Sequence, residues 1–574
     1  ELGYDAVAVY EFVKNGIRTE FYAGAMKGAE GTLRSGAGND VDQASLLVAL
    51  LRASSVPARY VRGVLERPIE SVAAELGLQN AATVPDALAR AGIAHRPVIR
   101  GGRVAAVEVE HVWVSAHVPY TNYRGAVVDF SGKLWVPLAP ALKNVTRIPA
   151  TGVLRAMDFP VTERLLAYQS AVQPIDLLTV IRDEVEAYLQ SGPGGTWDEQ
   201  LGSRANAVER LKLLPSTLPA TVVAVVEEVA ALPESELQQV TFRARRTSAE
   251  ASPIILETTL PLSTLAGHRV TWSYTPASVE DHRTVNAFGG LYAVPMYLVR
   301  LRPQLNVDGQ PVAIGTGNPL DMGAVHRFEV ELTGVTGSYR TGQVVVAGSY
   351  HALALGGQQT VRPLETADDL ADAERLAARL LSQFAHTYAA AWDEGENQLA
   401  GLLDVEILRP LPSLVVASNA VRVQQVLGLP TSFEWLGVTL DAALRAAEPL
   451  AHGTDPNAAR DWMRLSAAQG SALEGLTFAR EFQVDGISAD KGLALARAAG
   501  GPGVVTLTSA NVATELPGLA HPAAVKAEVE NWVRQGLTVE IPRAEIQRNA
   551  WRGSVWKVEE PATGAAGYFL SGGL

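Results

Sequence analysis

The sequence predicts a multi-domain α+β protein: a mixed α+β domain at residues 1–145, a helical connector at 146–216, a β-sandwich-like domain at 217–360, and a helical and α/β region at 361–574. Three observations predict it. The chain has 574 residues, far more than a single core of about 150 residues uses. Hydrophobic residues make up 47% and charged residues 19%, so the chain can bury several cores and is too apolar for bulk disorder. The apolar period changes from helical to two near residue 217 and turns helical again near residue 361.

In the first region Val7, Val9, Tyr10 and Val13 mark one helical face, and Ala44 to Arg52 a strongly apolar second helix. Strand patterns follow at Ala58–Leu65, Val104–Val118 and Ala126–Phe130, with short helices at Ile69–Gly77 and Val84–Ala91 between the first two. Val161–Ala171 and Leu177–Gln190 read as helices of the connector, which Pro215 and Pro219 close. Short strands then alternate with Gly, Pro and Asn turns: Ala220–Val226, Val240–Arg246, Ile254–Leu260, Val270–Tyr274, Met296–Leu301, Phe328–Leu332 and Gln343–Ser349. Asp308-Gly309 is a tight-turn signal. Residues 365–404 read as helix, followed by helices at Pro456–Glu481 and Pro522–Arg534. Short strands at Ser413–Val416, Val504–Leu507 and Leu537–Ile541 separate them, and a hairpin joins Val555–Val558 to Gly567–Leu570.

Charge and composition exclude several functions. Lys and Arg number 48 against 61 Asp and Glu, a formal net charge of −13 with no basic cluster, which argues against nucleic acid or an anionic membrane as partner. The most apolar run, Val222-Val223-Ala224-Val225-Val226, stops at Glu227, far short of a membrane span. Cys is 0, which removes disulfides, thiolate metal sites and every cysteine nucleophile. The chain opens Glu1-Leu2-Gly3, without Met or a signal region, and closes Ser571-Gly572-Gly573-Leu574, so a piece of a larger polypeptide is expected.

One segment carries a chemical signature. Residues 36–63 contain Ala44, Leu46-Leu47, Ala49 to Ala53, Pro57-Ala58-Arg59-Tyr60-Val61 and Gly63. This pattern resembles the core of the transglutaminase-like, papain-related superfamily, in which an apolar helix precedes a strand beginning Pro-Ala-Arg-Tyr-Val. His111-Val112-Trp113-Val114 resembles that family's strand with the catalytic histidine, and Trp135-Val136-Pro137-Leu138-Ala139-Pro140 the strand that usually reads Leu-Asp-Pro. The resemblance covers about the first 145 residues and implies the α+β fold of cysteine proteases. It also implies thiolate attack on an amide, by a Cys at a helix start that a His activates and an Asp orients.

Carried onto this chain, the Cys position falls on Asp40, the His on His111 and the Asp on Ala139. Two of three members are replaced, and a pseudoenzyme is expected, with no cofactor. A carboxylate is a poor nucleophile toward amides, and Asp40 at a helix start suits an N-cap, with Gln43 at capping-box spacing. The alternative is an amide hydrolase or acyl transferase built on Asp40 and His111, with Asp129 as a candidate orienting group. His111 and His117 share a strand face, and Glu108, Glu110 and Asp129 are the nearby groups a zinc site would need. Structural histidines are commoner, so no metal is expected. Trp113, Asp42, Gln43, Asp129 and Trp135 are candidate groove residues, in an aromatic series with Tyr120, Tyr123 and Phe130 that otherwise belongs to the core.

The C-terminal stretch from Trp551 to Gly573 resembles a segment of very large bacterial secreted proteins in which a transglutaminase-like region precedes Rhs/YD-repeat regions. That implies a secreted or cell-surface module with a structural or binding role and the rest of a larger polypeptide or assembly as partner. A third reading is a protein- or glycan-binding adhesin acting through the β region.

Overall fold

The computed structural model describes residues 2–119, 133–335, 337–356, 373–451, 455 and 457–573. The predicted strand Ala126–Phe130 and the candidates Tyr120, Tyr123, Asp129 and Phe130 lie outside them. The chain folds into two compact units, Glu1–Arg147 with Arg204–His386 and Leu408–Glu448, and Ile148–Ser203 with Thr387–Ile407 and Pro449–Leu574.

The first unit begins with α1 (Ala6–Gly16), whose N-terminus Asp5 caps by accepting from the N–H groups of Val7 and Ala8. β1 (Arg18–Thr19) leads to α2 (Gly28–Ser35), and β2 (Ala37–Gly38) pairs parallel with β1. α3 (Asp40–Ala53) follows. Then come β3 (Ala58–Pro68), β4 (His95–Arg100), β5 (Arg103–Pro119) and β6 (Lys133–Leu138). The sheet order is β4-β5-β3, with β6 also on β5, all antiparallel. Alternation along β5 sends Val112, Val114, Ala116 and Val118 into one cluster with Leu46, Leu47 and Leu51 of α3 and Val9, Tyr10 and Val13 of α1. The opposite face buries Val61, Leu65 and Trp113 with Ala139 and Leu142. That close packing requires Gly63: a Cβ there would collide with the Ala224 carbonyl and lie 2.6 Å from Trp113 Cη2.

Thr221–Val229 (β7), read from sequence as the first strand of the β region, instead pairs antiparallel with β3 and becomes the outer strand of this sheet. The rest of the β region forms two sheets. One runs Ile254–Pro261, Gln239–Arg245, Val325–Gly334, Gly337–Val346. The other includes Gln310–Ile314, Arg300–Val307, Val270–Pro276, His351–Leu355, Leu414–Val426 and Leu429–Leu444 in that order. They close over one core containing Phe242, Phe328, Trp272, Leu305 and Val416. Period two is plain in Gln239–Arg245, where Val240, Phe242 and Ala244 point inward while Arg243 pairs with Glu257 at 2.5 Å.

Two more expectations are corrected. Met296–Leu298 is one 3₁₀ turn, and the strand starts at Arg300, beyond Pro295. Residues 414–444, assigned from sequence to the C-terminal region, form a long hairpin of the first unit's larger sheet. Its turn, Leu427-Gly428, has φ of 52° and 81°, a left-handed pair usually signalled by Asn-Gly.

In the second unit, Val161–Tyr168 and Leu177–Ser191 are helical as expected, as are Ala458–Phe482 and Ala523–Arg534. Its antiparallel sheet runs Val504–Leu507, Thr538–Pro542, Trp551–Glu559, Ile546–Arg548, with Ala566–Gly573 on Trp551–Glu559 as the predicted hairpin. Among the described residues no helix is long and apolar enough to cross a membrane.

Candidate functional site

The site forms where the start of α3 meets β5. The backbone turns at Asn39, which has φ −76° and ψ −169°. Its side chain accepts from the Asp42 N–H at 2.9 Å and donates to the Tyr22 and Gly24 carbonyls at 2.9 Å each. Asn39 is therefore the N-cap, not Asp40, which is the first residue of the helix. No capping box forms either. Gln43 donates to the Gly38 carbonyl at 2.8 Å and to Thr19 Oγ1 at 3.0 Å, holding the parallel β1–β2 pair against the helix.

Freed from the cap, Asp40 reaches across to β5. Its Oδ2 accepts from the Val112 N–H at 2.7 Å and lies 3.3 Å from His111 Nδ1. Both side chains are enclosed, with 20% of Asp40 and 8% of His111 exposed. Burial raises the Asp40 carboxyl to about 7, against the pull of the Val112 N–H toward the charged form. Burial holds the His111 imidazole down at about 3, and the Arg67 charge adds to that. Near neutral pH the imidazole is uncharged and the carboxyl is raised into the range where it can carry a proton. Such a pair can hold one proton or pass it, but it presents no thiolate.

A cavity of about 40 Å³ borders the pair, lined also by Tyr22, Asn39, Arg67, Glu75 and Glu110. That is room for about three water molecules. Among the described residues His111 Nε2 is buried there without a hydrogen-bond partner, and Glu75 Oε2 likewise, while Glu75 Oε1 accepts from Arg67 Nη2. Sequence reasoning missed Asn39, Arg67 and Glu75. The Asn-Asp pair before the helix carried a signal for Asn39, because Asn is as good a cap as Asp. Arg67 and Glu75 reach the site only through tertiary packing.

The groove expected from the sequence does not form from its candidates. Asp42 is fully buried and accepts from Tyr22 Oη at 2.6 Å and from the N–H groups of Met26, Lys27 and Gly28 at 3.2, 3.0 and 2.7 Å, tying down the chain before α2. Burial raises its carboxyl above the usual range despite these donors. Gln43 is buried beneath β2. Trp113 packs over Gly63 in the core at 3% exposure. Trp135 carries the Arg59 guanidinium 3.7 Å from its ring centre and stacks on His117 at 4.9 Å, and it is 41% exposed. None of these four lines the cavity. Asp129 lies outside the described residues.

Ala139, at the position of the orienting Asp, is 1% exposed and packs with Trp113, Val61 and Leu142. His111 and His117 have different partners, Asp40 and Trp135. Among the described residues no group of three His, Cys, Asp or Glu stands close enough to hold a metal ion.

Comparison with known proteins gives one match. Residues 2–140 match the family model described as Transglutaminase-like superfamily. No curated protein and no solved structure matches the chain. The aligned span includes the helix start, the histidine strand and Ala139, all in the family's order, so residues 2–140 are a domain of the transglutaminase-like superfamily.

Proposed function

We propose that this transglutaminase-like domain is non-catalytic and serves as a structural or binding module. The observation that carries the reading is Asp40 at the nucleophile position, hydrogen-bonded at 2.7 Å to the Val112 N–H. A carboxylate attacking an amide would have to form an anhydride and expel an amine, a much more uphill exchange than forming the thioester that a thiolate makes. Two further observations support it. The cavity of about 40 Å³ is far below the roughly 300 Å³ at which ligand pockets begin. Ala139, which falls at the motif position of the orienting Asp, has only a methyl group and packs with Trp113 and Leu142.

The alternative, an amide hydrolase or acyl transferase using Asp40 and His111, has one observation in its favour: the 3.3 Å approach of Asp40 Oδ2 to His111 Nδ1. Incubation with peptide, isopeptide and ester substrates and a labelled amine separates the readings. The non-catalytic reading expects no release or incorporation above buffer. Turnover that His111→Ala and Asp40→Ala both abolish would overturn it. A secreted or cell-surface setting within a larger assembly is part of this proposal through the resemblance of the C-terminal stretch, and surface labelling of producing cells checks it.

A further inference from the structure

Among the described residues β7 has β3 as its single strand neighbour, so its outer backbone edge faces away from the sheet. Long apolar edge strands are uncommon because they template pairing with another chain. Here the strand reads Thr221-Val222-Val223-Ala224-Val225-Val226-Glu227-Glu228-Val229. Val222, Val223, Val225 and Val226 are 42, 46, 58 and 54% exposed. The pairing with β3 shifts register between Arg62 and Gly63 and again between Val64 and Leu65. Neighbouring valines from Val222 to Val226 are open to solvent, and the polar residues of the strand stand at its ends, Thr221 and Glu227-Glu228.

The sequence says what fits this edge. Val-Val-Ala-Val-Val reads the same in both directions about Ala224. In an antiparallel pair related by a two-fold axis at Ala224, Val222 meets Val226 and Val223 meets Val225, with Ala224 against its twin. The strand's carboxylates do not oppose each other in that register, since Glu227 falls across from Thr221. Within the sheet Glu228 pairs with Arg59 at 3.1 Å and Glu227 with Arg62 at 2.9 Å, a guanidinium that Glu110 and Glu236 also share. In that register no like charges stand directly opposite each other, so one of the guards on an edge strand is missing, although the two register shifts remain.

We propose that β7 is a self-association site, at which a second copy of this chain adds its own β7 antiparallel about Ala224 and joins the two sheets edge to edge. The residues have a general reason to do so: each copy buries the same four valines, and backbone N–H and C=O groups gain partners.

Sedimentation of the full chain across a micromolar-to-near-millimolar range tests this. A concentration-dependent dimer is expected. Val225→Lys, at a site open enough to accept it, should weaken the dimer about 100-fold, because symmetry removes each valine twice, while its unfolding midpoint stays near that of the parent. The chain contains no Cys, so Ala224→Cys gives a lone thiol that the two-fold places beside its twin. Mild oxidation should cross-link it much faster than Ser191→Cys, an exposed control. A strict monomer, a dimer indifferent to Val225→Lys, or equal cross-linking at both positions would each overturn the proposal.

Discussion

Lys14 and Lys143 each cap backbone carbonyls of the other's segment. Lys14 Nζ donates to the Leu142 carbonyl at 3.0 Å, and Lys143 Nζ donates to the Lys14 carbonyl at 2.6 Å and to that of Val13 at 3.1 Å. The Val13 and Lys14 carbonyls belong to the last turn of α1, where a cation is favoured. Both lysines are buried, at 6 and 5% exposure. Burial, reinforced by the Lys14 charge, lowers the Lys143 ammonium to about 7.

This arrangement predicts a rise in stability with pH. The folded state of Lys143 lets go of its proton near pH 7, while the unfolded chain keeps it to about 10.5. Between those values the unfolded chain binds more protons, so stability increases as pH climbs, by a total of about 5 kcal/mol at most. Urea titrations at pH 7, 8.5 and 10 should show this climb in the parent chain and a much flatter profile in Lys143→Met. Parallel profiles would refute the assignment.

The Asp40–His111 pair predicts two opposite slopes. Asp40, raised to about 7, favours the folded state as pH falls from 7 toward 4, because the fold takes up a proton the unfolded chain does not. His111, lowered to about 3, opposes folding as pH falls from 6.5 toward 3, because the unfolded chain takes up the proton instead. In the parent the two offset each other between pH 4 and 6.5. Asp40→Asn, which keeps an acceptor for the Val112 N–H, should lose about 3 kcal/mol over that window, and His111→Leu should gain a similar amount. Equal slopes in the two variants would contradict the pairing.

Asn39→Ala should destabilise the first unit by about 2–3 kcal/mol, more than an ordinary cap. It removes the bond to the Asp42 N–H and leaves the Tyr22 and Gly24 carbonyls without their donor. Asp40→Ala should cost less. Chemical denaturation of the two variants side by side checks the order.

Gly63→Ala should cost about 1–3 kcal/mol although it adds one methyl group. The new carbon would meet the Ala224 carbonyl and Trp113 at once, so β7 must move away from β3. Differential scanning calorimetry, with hydrogen exchange along residues 221–229, would register both effects.

Much of the fold was legible in the sequence because short-range periodicity carries it. α3 and β5 show their buried faces in Leu46, Leu47 and Leu51 and in Val112, Val114 and Ala116. Partner choice was not legible: Val222 to Val226 read as a strand, but nothing local says that Arg59 and Arg62 will claim it for the first sheet. The hairpin of residues 414–444 was missed past Val416 because Arg422, Gln424 and Gln425 interrupt its apolar pattern. At the site, the motif named Asp40 and His111, whose Oδ2 and Nδ1 lie 3.3 Å apart. It erred by one residue on the cap, because Asn39 and Asp40 serve equally well by composition and only the backbone turn at Asn39 decides.

The first unit draws on three separated stretches of chain, the last being Leu408–Glu448. His351–Leu355 pairs with Leu414–Val426, including Leu353 against Val416. A ribosome adding roughly 5–20 residues per second delivers the later strand several seconds after the earlier one. During that wait the strand edge at Leu353 stands open while the chain between is still being made. The order of synthesis therefore imposes a vulnerable interval, and a product truncated before residue 414 would carry that open edge permanently. Neither unit can be excised from the gene as one uninterrupted stretch, so dissecting this protein calls for point variants rather than deletions.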